Sequence, residues 1–313
     1  MRGKRVSLIG LLKAAAVTTA AFSVLTSFSS VHHYIELFSH FRLQYLAVSL
    51  LLLLVFAALR SFAYSSILFA TLILNAAYVV PWYLGDTLSN ASDTTKLVHI
   101  NVRADNDQHD LLLDYVKAEQ ADILLLQEVS PEWLASIRTL NEDYPYRYSQ
   151  PRHDHFGIAL LSRLPLDSVT HVTSPPLDYP TIVATLTLNG KLLTLVSTHA
   201  TIPLTRSGFE ARNEQLQSVA EITKAVTGAV ILSGDLNTSL WSPTYRVLED
   251  MTGLRNTRRG VGVLPTWPTF MPLSMIPIDH VLVSDAVQVA SIRRGKHLGS
   301  DHLPLIMEFS LSQ

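Results

Sequence analysis

The chemistry open to this chain is concentrated in six short polar signatures, each beside a run of apolar residues. In order they are Asn101, Gln127-Glu128, Ser197-Thr198-His199, Ser233-Gly234-Asp235-Leu236-Asn237, Asp279-His280 and Ser300-Asp301-His302. Asn, Glu and Asp offer oxygen donors. The chain holds no cysteine, which excludes disulfides, thiolate metal sites and a Cys nucleophile. Such a donor set suits a hard cation, Mg2+ or Mn2+. Mg2+ is commonly held by one or two carboxylates, with waters and substrate phosphate completing its shell. The same cation polarises a phosphoryl oxygen and offsets the charge that develops in an in-line displacement. A base for the attacking water is then needed, and a carboxylate-oriented histidine or an Asp/Asn pair supplies one. Asp235 and Asn237, two apart after a buried run, face one ligand if the backbone curls. His302 and His199 are the candidates to grip or protonate the phosphate.

Each signature needs an element to aim it. Short runs rich in Val, Ile and Leu predict buried strands. These fall at 96–102, 123–127, 158–162, 168–172, 182–188, 191–197, 229–234, 279–283, 287–292 and 305–309. Helical spacing marks 110–119, 131–140 and 208–226, with Ser130 as N-cap and Pro131 in the first turn of the second. Asn189-Gly190 predicts a two-residue hairpin. Strands joined partly by hairpins and partly by helical crossovers predict an α/β domain of two mixed sheets packed face to face, helices outside. Polar side chains at strand ends then point into the crevice where open sheets bind ligands.

The first 85 residues are of another kind. The whole chain is 48% hydrophobic and 16% charged, with a mean hydropathy of +0.25. The apolar excess sits in three stretches, 8–28, 43–59 and 62–84, each near the ~20 residues that cross a bilayer. Arg2, Lys4 and Arg5 precede the first stretch and Arg60 separates the last two, which places the amino terminus on the cytoplasmic side. With three spans the polar part lies outside, periplasmic or extracellular. Lys13 also fits a signal-peptide-like first segment, whose cleavage would leave a two-span hairpin. A polar linker from Asp86 to Thr95 leads to the second part, giving 1–91 as a membrane anchor and 92–313 as the catalytic domain. A net charge of −2 excludes a basic footprint over the whole molecule. Two local basic clusters, Arg255-Arg258-Arg259 and Arg293-Arg294-Lys296, either contact phosphates beyond the scissile one or face solvent. Arg163 is a further candidate for the cleft, and Trp267 either stacks on a base, lies against lipid or packs under its loop. His280 reads as structural, and His109, His153, His155, His171 and His297 as exposed.

Taken together, the six signatures resemble the endonuclease/exonuclease/phosphatase superfamily in order and spacing, from about Lys96 to the end. The resemblance implies a four-layer α/β sandwich and Mg2+-dependent phosphoester hydrolysis. It also implies roles. Asn101, Glu128 and Asp301 would hold the metal, Asp235 would position or activate water, and Asn237 would bind the phosphate. His302, paired with Asp279, would support the transition state, and His199 would be the second imidazole. The segment Leu37-Phe38-Ser39-His40-Phe41-Arg42 resembles a membrane-anchored bacterial subgroup. The expected substrate is a phosphodiester, of nucleic acid or of a phospholipid-type headgroup, with the lipid bilayer as partner through the amino-terminal helices. The other reading is a catalytically silent phosphate- or lipid-binding module on the same fold.

Overall fold

The structure, a computed structural model, describes residues 7–85, 88–89 and 93–312. Arg2, Lys4 and Arg5, on which the predicted orientation rests, lie outside the described residues. So does the predicted domain boundary at 91/92.

Four helices come first: α1 (Leu8–Leu25), α2 (His33–Ser39), α3 (Arg42–Ala58) and α4 (Phe62–Val79). Two helices are long and apolar enough to cross a membrane, Leu8–Phe28 and Phe62–Tyr83. α2 and α3 meet that measure only together, and they are bent by 60° at their junction. The predicted second stretch is thus α3 alone, 17 residues long. The bundle exposes apolar residues and buries polar ones beside a small apolar cluster of Ala16, Leu52, Phe56 and Leu68. Leu51, Leu54, Phe69 and Ile73 are exposed, whereas Ser23, Arg42, Thr71 and Asn75 are buried. Arg42 donates to Ser23 O at 2.9 Å and Asn75 Oδ1 at 3.2 Å, so its buried charge is hydrogen-bonded rather than bare.

The rest is a sandwich. In chain order it contains β1 (Thr95–Asn101), α5 (His109–Glu119), β2 (Ile123–Gln127), α6 (Pro131–Ile137), β3 (Tyr146–Gln150) and β4 (Ile158–Ser162). Then follow β5 (Ser168–Ser174), β6 (Tyr179–Leu188), β7 (Lys191–His199), α7 (Arg206–Ala225), β8 (Ala229–Asp235) and α8 (Pro243–Thr252). The last strands are β9 (Arg255–Asn256), β10 (Asp279–Val283), β11 (Val287–Arg294) and β12 (Leu305–Leu311). One sheet runs β11-β12-β1-β2-β4-β3 and the other β5-β6-β7-β8-β10-β9. Within each, one central pair is parallel, β1 with β2 and β7 with β8, and the other pairs are antiparallel.

Alternation along the strands builds the layers, because successive side chains face opposite sides of a sheet. Leu97, Leu125, Ile231 and Val281 join the cluster between the sheets. Val98, Ile100, Leu124 and Leu126 face outward against Leu112, Val116 and Trp133 of α5 and α6. A third cluster lies under α7 and α8, and Val79 and Trp82 from the amino-terminal helices belong to it. Trp241 also donates its indole N–H to Tyr78 O at 3.0 Å. The helices are therefore packed into the sandwich's outer layer. Ser130 caps α6 by accepting from Trp133 N, and Asn189-Gly190 turns β6 into β7 with positive φ at both residues, 51° and 77°.

Candidate active site

Register brings the signatures together. Asn101 lies opposite Gln127 across β1 and β2, His199 opposite Asp235 across β7 and β8, and Asp279 opposite Asp235 across β8 and β10. Gln127 stitches the two sheets at this point. Its side-chain oxygen accepts from Asp235 N at 2.7 Å while its amide nitrogen donates to Thr198 O. The approach is so close that a Cβ at Gly234 would stand 2.1 Å from Thr198 O, which explains glycine there. Asp301 and His302 arrive on the loop before β12.

Six of the eight predicted residues, Glu128, His199, Asp235, Asn237, Asp301 and His302, line one cavity of about 220 Å³. Asn101 and Asp279 stand directly behind it. A larger cavity of about 410 Å³ runs from Ser29 to α7 and α8, but among the described residues no group able to hold a metal gathers there. The carboxylates and imidazoles gather at the smaller one.

Two acids converge on one amide. Asn101 Nδ2 donates to Glu128 Oε1 at 2.9 Å and to Asp235 Oδ2 at 3.2 Å, while Asn101 Oδ1 accepts from Arg103 N at 3.0 Å. Backbone φ is positive at Glu128, 61°, and at Asn237, 47°, a conformation that carries strain in side-chain-bearing residues and is often retained at working sites. Burial pushes the Asp235 carboxyl up to about 8, so the protein alone leaves its negative charge undercompensated. Burial also opposes charge on Glu128, but the field of His199 and the bonds from Asn101 and Ala104 N hold it below the ordinary value. Burial itself drives His199 down to about 4, so its ring is neutral near pH 7, and the two hydrogen bonds together with the charge on His302 are what keep Glu128 ionised.

Opposite the acids lies a histidine–carboxylate pair. His302 Nδ1 donates to Asp279 Oδ2 at 2.8 Å, and His302 Nε2 stands 3.6 Å from Asp235 Oδ2. Burial pulls the imidazole down, but Asp279, Asp235 and Asp301 outweigh it and raise His302 to about 10. Asp279 is fully buried, yet His302 and His99 hold its carboxyl well below the usual range. Asp235, Asp279 and His302 present ligand atoms all within 4.8 Å of one another. Asn237 donates from N to Asp235 Oδ1 at 3.0 Å and from Nδ2 to Ala200 O at 2.8 Å. Trp267 donates its indole N–H to Asp301 Oδ2 at 2.9 Å and lines the cavity.

Several groups carry functions that the sequence reading did not assign. His99 Nε2 bonds Asp279 Oδ1 at 3.0 Å, so the carboxylate has an imidazole on each oxygen. The signal was the alternation in β1, which puts His99 on the inner face with Leu97, where a ring needs a polar partner. His155, read as exposed, is half-exposed but reaches Glu128 Oε2 at 3.1 Å. From α2, Glu36 pairs with Arg212 of α7 at 2.8 Å, and Arg212 Nη1 donates to Asn237 O at 2.8 Å. Leu37 and His40 stand at the cavity itself, and His40 Nδ1 bonds Ser239 Oγ at 2.8 Å.

None of the six residues of the two basic clusters lines the cavity. Arg258 is fully buried and donates to Asp279 O at 2.7 Å and Leu264 O at 3.2 Å. Arg293 pairs with Glu119 at 2.6 Å, and Arg294 donates to Pro265 O at 2.9 Å. Arg163 binds Gln120 at 2.9 Å, away from the cavity. His280 is structural as expected, with Nε2 on Thr238 O at 2.8 Å.

A family model described as the Endonuclease/Exonuclease/phosphatase family matches residues 98–302. The chain belongs to the endonuclease/exonuclease/phosphatase family. Its four-layer sandwich is the family's fold. Among solved structures similar to it is D. rerio TDP2 complexed with a single-strand DNA product, at 18% identity and TM-score 0.61, covering 70% of this chain and 100% of that one. The human Nocturnin catalytic domain with bound sulfate aligns at 21% identity and TM-score 0.57, covering 70% and 95%. A family protein from Bacteroides vulgatus aligns at 20% identity and TM-score 0.60, covering 71% and 100%. These likenesses concern the fold. No curated protein matches the chain in sequence.

Proposed function

We propose that this chain is a membrane-anchored, divalent-cation-dependent phosphoesterase that cleaves a phosphodiester, of nucleic acid or of a phospholipid-type headgroup, by in-line attack of water. The observation that carries the reading is the cavity in which Glu128, Asp235 and Asp301 meet His302, itself paired with Asp279. The residues fit a hard cation. A buried and a partly buried carboxylate share one amide donor, and burial lifts Asp235 to about 8, a deficit of positive charge that a cation between oxygen donors would fill. Glu128 and Asp301, with Asn101 bracing Glu128 or turning its amide oxygen inward, would hold Mg2+ or Mn2+. Bound there, the cation would polarise a phosphoryl oxygen.

The chain's own groups do the rest. Asp235 orients the water and takes its proton, fixed for this by Asn237 N and Gln127. His302, kept protonated by Asp279, presents Nε2–H to the phosphoryl oxygens as charge gathers on them. Asn237 and the neutral His199 fix the phosphate. The helices serve as the anchor, because their apolar residues face outward and their polar ones inward. An outward-facing catalytic part remains our reading of the basic residues. The test is hydrolysis of bis(p-nitrophenyl) phosphate by the full chain in nanodiscs with Mg2+. Asp235→Asn and His302→Gln should each lower kcat by at least about a hundredfold without loss of fold by circular dichroism. Equal turnover by both variants and the parent refutes the assignment.

A further inference from the structure

The cleft's polar floor is matched by apolar walls. Leu37, Ile202, Pro203, Leu204, Ile276 and Ile278 line the same cavity as the carboxylates and imidazoles, and no Lys or Arg does. Beyond the wall the chain continues outward. Trp267 and Ile276 pair as an antiparallel bridge, so the residues between them form a projecting loop rooted in the cavity. Its tip carries Phe270, 67% exposed, and Leu273, 92% exposed, and across the mouth Leu204 is 65% exposed. Lone exposed apolar residues are ordinary, but a set rooted in one cavity mouth marks an interaction surface. The loop is also tied to the helical bundle. Gln44, in the first turn of α3, donates to Leu273 O at 3.3 Å and to Met275 O at 2.8 Å. The tip therefore stands level with the end of a helix whose outer face is apolar.

From this we infer that the substrate is a phospholipid of the bilayer in which the chain sits, its phosphodiester on the cavity floor and its acyl chains along the apolar wall. The inference rests on the phosphoesterase reading and names its substrate class. A nucleic acid would need cations for the phosphates flanking the scissile one. None of the six the sequence offered lines the cavity, and Arg258 is committed to buried carbonyls and Arg293 to Glu119. In the reaction the water oxygen bonds phosphorus and one P–O ester bond breaks. The departing alkoxide leaves as an alcohol with the proton that water gives up through Asp235, and a phosphomonoester remains on the other alcohol.

The test uses the full chain in nanodiscs of phosphatidylethanolamine and phosphatidylglycerol with Mg2+. Four probes are compared: the nanodisc lipid, glycerophosphoglycerol as a soluble headgroup, single-strand DNA, and bis(p-nitrophenyl) phosphate. The expected result is lipid turnover at least about a hundredfold above DNA and the soluble headgroup. Phe270→Asp with Leu273→Asp, outside the cavity, should lower lipid turnover about tenfold or more, since each loses the burial of a large apolar side chain. Turnover of bis(p-nitrophenyl) phosphate should stay unchanged in that variant. Preference for DNA, equal rates on lipid and soluble headgroup, or an unaffected tip variant each overturns the lipid assignment while leaving the phosphoesterase intact. Silence on bis(p-nitrophenyl) phosphate as well overturns the phosphoesterase reading itself.

Discussion

Glu36→Ala should damage catalysis from a helix outside the sandwich. Arg212 is fully buried and Glu36 nearly so. Both carboxylate oxygens accept from Arg212 Nη2 at 2.8 Å, and Ser242 Oγ adds a further bond. Removing the acid leaves a guanidinium in the interior with no counter-charge, a change that costs about 3–5 kcal/mol. At about 1.4 kcal/mol per tenfold, that is roughly two to three and a half decades in the equilibrium between seated and unseated α2. The loss passes to the site by a short route, because Arg212 Nη1 holds the carbonyl of Asn237. Replacing both partners by apolar groups is a different perturbation, since buried pairs exchanged for well-packed apolar side chains are often neutral. Glu36→Leu with Arg212→Met should therefore recover most of the stability lost in Glu36→Ala, leaving a kcat deficit from the missing bond to Asn237. The assay is a double-mutant cycle on the full chain in nanodiscs, read by thermal melting and by bis(p-nitrophenyl) phosphate turnover. A coupling energy below about 0.5 kcal/mol, or unchanged turnover in Glu36→Ala, would show that α2 merely lies beside the site.

Four further outcomes follow from the geometry. With Asp235 raised to about 8 and acting as a base, turnover at low Mg2+ should rise with pH through about 8, and saturating Mg2+ should move that limb to lower pH. With His302 raised to about 10 and acting while protonated, turnover should fall above about 10, and Asp279→Asn should bring that limb down in a pH–rate profile. Chelation should abolish turnover and added Mg2+ or Mn2+ restore it, while Asn101→Ala should raise the Mg2+ needed for half-maximal rate by about 10–100-fold. Gly234→Ala forces a Cβ to 2.1 Å from Thr198 O, and calorimetry should register destabilisation of about 1–3 kcal/mol or more.

The sandwich was legible wherever burial leaves a periodic trace. All ten predicted strands formed, because each is a short apolar run with both faces covered or one face alternating. β3 was missed because Tyr-Arg-Tyr-Ser-Gln is a polar edge strand with little burial pattern. α8 was missed too, since its apolar stripe is confined to ten residues and buries only Tyr245 and Leu248. At the site, strand-end signatures were legible because register, once formed, places strand ends side by side. Pairings between distant elements were not. Nothing local in Glu36 points to Arg212, 176 residues on, and nothing in Arg258 announces its carbonyl partners. The basic clusters divide for the same reason: Arg293 and Lys296 are exposed, as the solvent-facing alternative had it, while Arg258 is buried, and charge in sequence does not say which guanidinium is buried.

Val79 and Trp82 share a buried cluster with Leu240, Trp241 and Tyr245, next to the loop that ends at Asn237. No slack hinge among the described residues insulates that loop from the helices. If the helices span a bilayer and Asn237 binds phosphate, as proposed, a change in hydrocarbon thickness that retilts α4 would press on the layer supporting that amide. Turnover would then report on the surrounding lipid as well as on the substrate, and a scissile-bond assay in detergent would sample a different enzyme from the one in its own leaflet.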